Sequence, residues 1–449
     1  MTILKTILGG LLALLIGGYT NNANALSLDE TRQLLIKTGF APSFNEIAPY
    51  LILTKTQAID KLLLQPAAPQ QPRLPTVFSA PYRAPSFKVL SPSQKKAYRQ
   101  KLRQQTRLLQ VWWLDEMLTT QEPVTENLTL FWHNHFATSV KKVKHPALMA
   151  IQNQTFRTHA RSNFRRFLHA MIKDPALLLY LDNDKNSHPK SNENLARELM
   201  ELFTLGEGYY TEADVKNGAR ALSGYSLKRK TGEFIFYTRA HNNTEKNILG
   251  DVGHWNGDDF IDILLQQKQT AQFITGKLWA HYIASPIPPA TLTELSEKFY
   301  QNYEITPLIK SILQRPEFWS LDNQGTQIKS PIQLVVGLYR QFNIKPDETF
   351  QLIRSAKNMG QLLFYPPTVK GWPTGIRWID SSTLLARQDF VSKATRGMKI
   401  KNAVKRYDKP SADWVKLLAN TVEQTDLFLD PDPWRTVKAT LGDLKYQLQ

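Results

Sequence analysis

Ser191–Gly208 reads SNENLARELMELFTLGEG, and its periodicity decides the fold class. Leu195, Leu199, Leu202 and Phe203 recur at three- and four-residue steps, the spacing of one face of a helix. Ala196 and Met200 widen that face, and Ser191 or Asn192 is placed to cap it. Asn194, Glu198 and Glu201 line one flank, with Glu198 hardest against the apolar stripe. A carboxylate held there has a raised pKa and can act as a general acid or base. Arg197 is spaced to pair with Glu193 and Glu201. An Arg–Glu network that merely fixes the helix satisfies the same pattern.

Working outward, Phe131–Phe136 (FWHNHF) reads as part of a second helix, over Thr125–Ser139. Leu128, Phe131, Trp132, His135 and Phe136 share its apolar face, whereas His133 points some 200° away. From a helix, residues two apart cannot hold one metal ion together. His135 is therefore the residue of interest and His133 is secondary; a core histidine satisfied by one hydrogen bond fits equally. Helical spacing continues over Leu28–Leu64, Gln94–Thr120, Pro146–His169, Glu212–Ser223, Gly257–Gln267, Thr270–Ile283, Pro289–Tyr300, Thr306–Gln314, Pro331–Phe342, Asp347–Met359, Ser381–Lys393 and Asp413–Glu423. Tyr225–Tyr237 alternates around Thr231-Gly232 and reads as a β-hairpin. The class is mainly α: a multi-helical globular protein with one small β-hairpin near 225–237. Its expected organisation is a leader over 1–25, an N-terminal helical segment over 26–65 and a proline-rich arm over 66–92. A main helical domain over 93–395 and a basic helical extension over 396–449 complete it.

The leader is read from Lys5, the apolar run Ile7–Ile16 and Ala23-Asn24-Ala25, an A-x-A cleavage pattern. Cleavage after Ala25 would start the mature chain at Leu26. The run is shorter than the ~20 residues of a spanning helix, so the expected location is periplasmic or extracellular. With no cysteine among 449 residues, disulfides, thiolate nucleophiles and cysteine-ligated zinc or iron–sulfur centres are excluded. The formal net charge of +17 predicts anionic partners. Export disfavours nucleic acid and favours an acidic envelope polysaccharide or the membrane surface, with a protein partner in the envelope as a further reading.

Three basic runs concentrate that charge. Lys95, Lys96, Arg99, Lys101, Arg103 and Arg107 crowd one helix; Arg157, Arg161 and Arg165 recur every four residues; Lys393–Arg406 adds six more. Asp182–Glu193 places Asp182, Asp184, Asn186 and Glu193 at positions 1, 3, 5 and 12, the spacing of a calcium loop. Ser187 in place of the usual glycine, and Pro189 and Lys190 after it, argue instead for a helix-capping loop. Calcium or another divalent metal is the only cofactor suggested. Phe364–Trp378 (FYPPTVKGWPTGIRW) is a rigid loop whose Trp372 and Trp378 could stack on sugars or lock a corner. No nucleophile elbow, phosphate loop or HExxH motif occurs in a fitting context.

Asn192–Ser226 (NENLARELMELFTLGEGYYTEADVKNGARALSGYS) resembles the bacterial secreted family catalogued as domain of unknown function 1800. TGFAPSFNEI, LTLFWHNHFATS, DPALLLYLDN, AHNNTEKNILG, KLWAHYI and PPTVKGWPTGIRWIDSSTLLAR follow the family order, covering Leu28–Arg387. Two departures are Ala41, where the family usually has glycine, and Asn242 after His241, where aspartate is expected. The resemblance implies a secreted helical protein and gathers His133, His135, Asn192, Glu193, Arg197, Glu198, His241 and Lys246 as one site. It implies no substrate. The combined reading is an exported protein that binds, and in one version processes, an anionic envelope polymer, with His135 and Glu198 as the acid–base pair and Arg197 as the anion clamp. The alternatives are a non-catalytic scaffold or partner-binding protein of the envelope, and a metal-dependent hydrolase.

Overall fold

Helix starts follow the capping chemistry of the sequence. Ser27, Thr54, Ser91, Thr211 and Asn256 each accept a backbone N–H and form reciprocal boxes with Glu30, Gln57, Gln94, Asp214 and Asp259. The computed structural model describes residues 25–64, 71–78, 89–228, 230–419 and 429–449. The leader reading, Tyr82 and Phe87 of the proline-rich arm and the end of the Asp413–Glu423 helix lie outside them.

The elements that position the site are α1 (Leu28–Thr38), α2 (Pro92–Thr119), α3 (Pro123–His135), α4 (Pro146–His159), α5 (Phe164–Met171) and α6 (Asn194–Glu198). After α6 come α7 (Glu212–Ala221), α8 (Gly257–Gln266), α9 (Lys268–Tyr282) and α10 (Pro331–Gln341), with further helices between and beyond. The expected hairpin forms between β1 (Tyr225–Leu227) and β2 (Phe234–Phe236), with Tyr225 opposite Phe236. A second pair, β3 (Lys246–Ile248) and β4 (Asp251–Gly253), had no counterpart in the sequence reading. Its strands are too short to show alternation. The structure is mainly α, as the periodicity requires. One apolar cluster runs from Leu26 to Tyr446, and no helix among the described residues is long and apolar enough to cross a membrane.

The helix expected over Pro146–His169 is two helices. Asn163 caps the second by accepting the Arg166 N–H, so Arg157, Arg161 and Arg165 do not stack along one face. Arg157 is buried and paired with Glu126 through two N–H groups, one at 3.0 Å. Arg161 donates to the Leu63 carbonyl at 2.6 Å, and Arg165 meets Asp262 at the surface at 2.7 Å.

α3 lies at the centre and is buried along most of its length. Trp132 packs against Phe164, Phe167 and Phe136, and its indole N–H reaches the Ala160 carbonyl at 3.0 Å. Glu126 also accepts the Trp113 indole at 3.0 Å, and Asn127 donates to the Gly39 carbonyl at 2.6 Å. At the chain's far end, Ile328 bridges Leu448, and buried Arg32 of α1 donates to the carbonyls of Lys416 and Ala419.

Removing one partner of the Glu126–Arg157 pair strands a buried charge, a loss of about 3–5 kcal/mol. Arg157→Met should lower the thermal unfolding midpoint sharply, whereas Arg165→Met, whose partner is exposed, should leave it nearly unchanged.

Candidate functional site

Between α6 and Gly206 the helix widens and underwinds. Leu199–Thr204 is a π-helical turn continuous with α6, and the Leu205 N–H bonds the Met200 carbonyl five residues back. Such a turn carries one extra residue and recurs at functional sites. It ends at Gly206, whose φ of +90° no ordinary side chain adopts readily, with Phe273 packed against the place where a Cβ would lie. The carbonyls at this end need outside donors. Three arrive from α3 and α9: His135 Nε2 to Phe203 at 3.2 Å, Lys277 Nζ to Leu202 at 3.2 Å, and Gln269 Nε2 to Leu205 at 3.0 Å.

This fixes the histidine tautomer. A carbonyl only accepts, so Nε2 of His135 carries the proton and Nδ1 is bare. Lys277 Nζ lies 3.2 Å from that Nδ1 and donates to it. Burial, and then the charge of Lys277, hold the His135 imidazole well below its usual pKa. His135 is therefore a neutral acceptor at physiological pH. Burial also pulls the Lys277 ammonium down to about 8.

His135 and Lys277 open on a cleft of about 390 Å³ whose lining includes Glu201, Phe273, Val369 and Lys370. Glu201 accepts the Tyr210 hydroxyl at 3.0 Å. Lys370 lies 3.9 Å from Glu201 and 3.4 Å from Glu207, which shares its charge between two carboxylates. Glu198 sits half-buried nearby, and burial, then the charge of Glu201, push its carboxyl up.

The other sequence candidates go elsewhere. His133 is fully buried on the opposite side of α3, ringed by Trp113, Phe156, Phe364 and Trp372 at 5.3–5.5 Å. Neither ring nitrogen has a hydrogen-bond partner, and burial pushes it down to about 3. Trp372 and Trp378 are buried, not presented to solvent. The Trp372 N–H bonds the Asn134 side chain at 2.6 Å, which locks the loop to α3. Arg197 is spent on Glu193 and Glu212 at the surface, so it does not face the cleft as a clamp. His241 donates from Nδ1 to the Ser223 carbonyl at 3.0 Å, and Lys246 to the Thr244 carbonyl at 2.9 Å. The eight residues gathered by resemblance thus divide among several places.

In the Asp182–Glu193 loop, Asp182 is taken by Lys142 and Lys185, and Glu193 by Arg197. The Asn186 amide donates to Asn183 and to the Ala219 carbonyl, and its oxygen accepts the Asn192 N–H. That is the bonding of a capping loop. Among the described residues no group of three or more His, Asp or Glu side chains is arranged to hold a metal ion.

Lys277, Gln269 and Lys370 were missed by the sequence reading. The visible signal was a lysine one turn from Phe273 and Ile274, on a face of α9 that also carries Gln269 and His281.

A helical protein whose polar site is a π turn capped by a histidine and a lysine is thus defined. The chain belongs to the family described as "Protein of unknown function (DUF1800)", which matches residues 33–441. No curated protein and no solved structure matches it.

Among the described residues, Lys37 and Lys329 are likewise buried with no carboxylate in ion-pair distance. Lys37 donates to Gln327 at 2.6 Å and Lys329 to the Tyr446 carbonyl at 2.7 Å. Burial brings both down to about 7, against about 10.4 in an unfolded chain. Between these values the unfolded chain binds the extra protons, so stability rises with pH. The unfolding midpoint should climb by on the order of a few °C from pH 7 to pH 9.5, and Lys329→Met should flatten that rise in a calorimetric pH series.

Proposed function

We propose that the protein is exported and binds an anionic polymer of the cell envelope along the first half of α2. One observation carries this reading. Lys95, Lys96, Arg99, Lys101, Arg103 and Arg107 have no ion-pair partner among the described residues, and all but the partly buried Lys95 are exposed. Lys95, Arg99, Arg103 and Arg107 stand four residues apart, where like charges repel by a few tenths of a kcal/mol per pair. A polyanion laid along the stripe removes that repulsion and gains attraction at every step.

The remaining basic runs support the choice of surface. Arg157 and Arg161 are consumed in the interior, while Lys393 and Lys399 pair with Asp389 and Asp347. The leader pattern supports export, and an acidic polysaccharide is the polyanion suited to that compartment.

Polygalacturonate binding measured by titration calorimetry tests this. Wild-type protein should bind, with affinity falling as salt rises through the range where surface charges are screened. Replacing Lys96, Arg99, Lys101 and Arg103 together by glutamate should weaken binding at least about tenfold. Equal binding by that variant, or no binding by wild type at low salt, overturns the proposal; preference for anionic vesicles over the polysaccharide would move it to a membrane surface.

A further inference from the structure

The Lys277 amine is held as a nucleophile would be held. Its Nζ donates in two directions, to the Leu202 carbonyl and to the bare Nδ1 of His135, each at 3.2 Å. No carboxylate lies within ion-pair distance of it among the described residues, and its remaining neighbour is the face of Phe273 at 4.6 Å. A neutral amine has two N–H bonds and one lone pair. With both N–H bonds committed to fixed acceptors, the lone pair is left for the cleft that Lys277 lines. Burial holds His135 neutral, and its bond to Phe203 places the ring proton on Nε2, so Nδ1 stays able to accept that N–H.

We propose that Lys277 is a catalytic amine that forms an imine with a neutral aldehyde or ketone bound in the cleft. The lone pair adds to the carbonyl carbon, and the carbonyl π pair moves to oxygen, which takes a proton. The nitrogen then loses one proton, the hydroxyl leaves as water on taking another, a C=N bond forms, and the iminium nitrogen releases its second proton. The sum is amine plus carbonyl compound giving imine plus water, with no redox partner. Glu201, lining the same cleft and oriented by Tyr210, is placed to pass those protons. Glu201 and Glu207 on the rim, with Lys370 already shared between them, disfavour an anionic substrate and select an uncharged one. This proposal does not depend on α2 binding a polymer.

The whole chain, treated with propionaldehyde and cyanoborohydride and mapped by peptide mass spectrometry, decides it. At pH 7.5 Lys277 should be alkylated at least about tenfold faster than exposed Lys405, with a labelling midpoint near pH 8 against about 10.4 for exposed lysines. The titratable groups that line the cleft with the amine are His135, Glu201, Glu207 and Lys370, and it is the burial of Lys277 that sets the midpoint. Lys277→Arg should lose the label while keeping its circular dichroism spectrum. If Lys277 in the wild-type chain reacts no faster than Lys405, the proposal fails, whatever the variant does.

Discussion

A helix buried along most of its length must find partners for its polar side chains on other segments, and α3 imposes that requirement on the rest of the molecule. Its residues alternate between apolar packing and polar groups that neither water nor their own helix can satisfy. Glu126 is answered by Arg157 and Trp113, and Asn127 by the Gly39 carbonyl and by His281 at 2.7 Å. Asn134 is answered by the backbone of the Phe364–Trp378 loop, and His135 by the π turn and Lys277. Each answer comes from a different part of the chain, so one helix ties α1, α2, α4, α9, the π turn and the loop together. His133 is the exception. It has an aromatic enclosure and no hydrogen bond, which burial tolerates only in a neutral ring.

Much of this architecture was legible because it rests on local chemistry. The 3.6-residue periodicity marks the ends of α2 and α7 to within two residues and those of α3 to within four, and Thr231-Gly232 marks the first hairpin. The break between α4 and α5 was hidden because Phe156, Phe164 and Phe167 keep a continuous helical rhythm across it. Only the Asn163 cap betrays it. The π turn was invisible for a related reason. Leu199, Leu202 and Phe203 fit an ordinary helix, and the underwinding is accompanied by donors from α3 and α9 that lie more than sixty residues away in sequence.

The candidate site was legible in part. His135 and Glu198 were picked out by their place against apolar stripes, and both prove shifted by burial. Their assigned roles did not follow from that. A histidine whose two nitrogens are engaged by a carbonyl and an amine is an acceptor and an anchor, and the titrating group beside it is Lys277. The net charge of +17 was similarly uninformative until the structure divided it. Arginines at regular spacing look like a surface stripe whether they bind a ligand or hold a core together. Only burial and partners separate Arg157 from Arg103.

The contact between Arg32 and the carbonyls of Lys416 and Ala419 has a consequence for the order in which this molecule is made. It joins residues 384 and 387 positions apart, among the most distant pairings the chain contains. The N-terminal helix is the first described helix to leave the ribosome, yet the groups that satisfy its buried guanidinium are synthesised among the last. Until then α1 has its earlier neighbours, Phe44–Ile47, α3 and α9, but lacks the Ser411–Leu418 helix that covers the rest of it. Closure over α1 is therefore a late event of high contact order, and the nascent chain must be kept from premature association for almost its entire length.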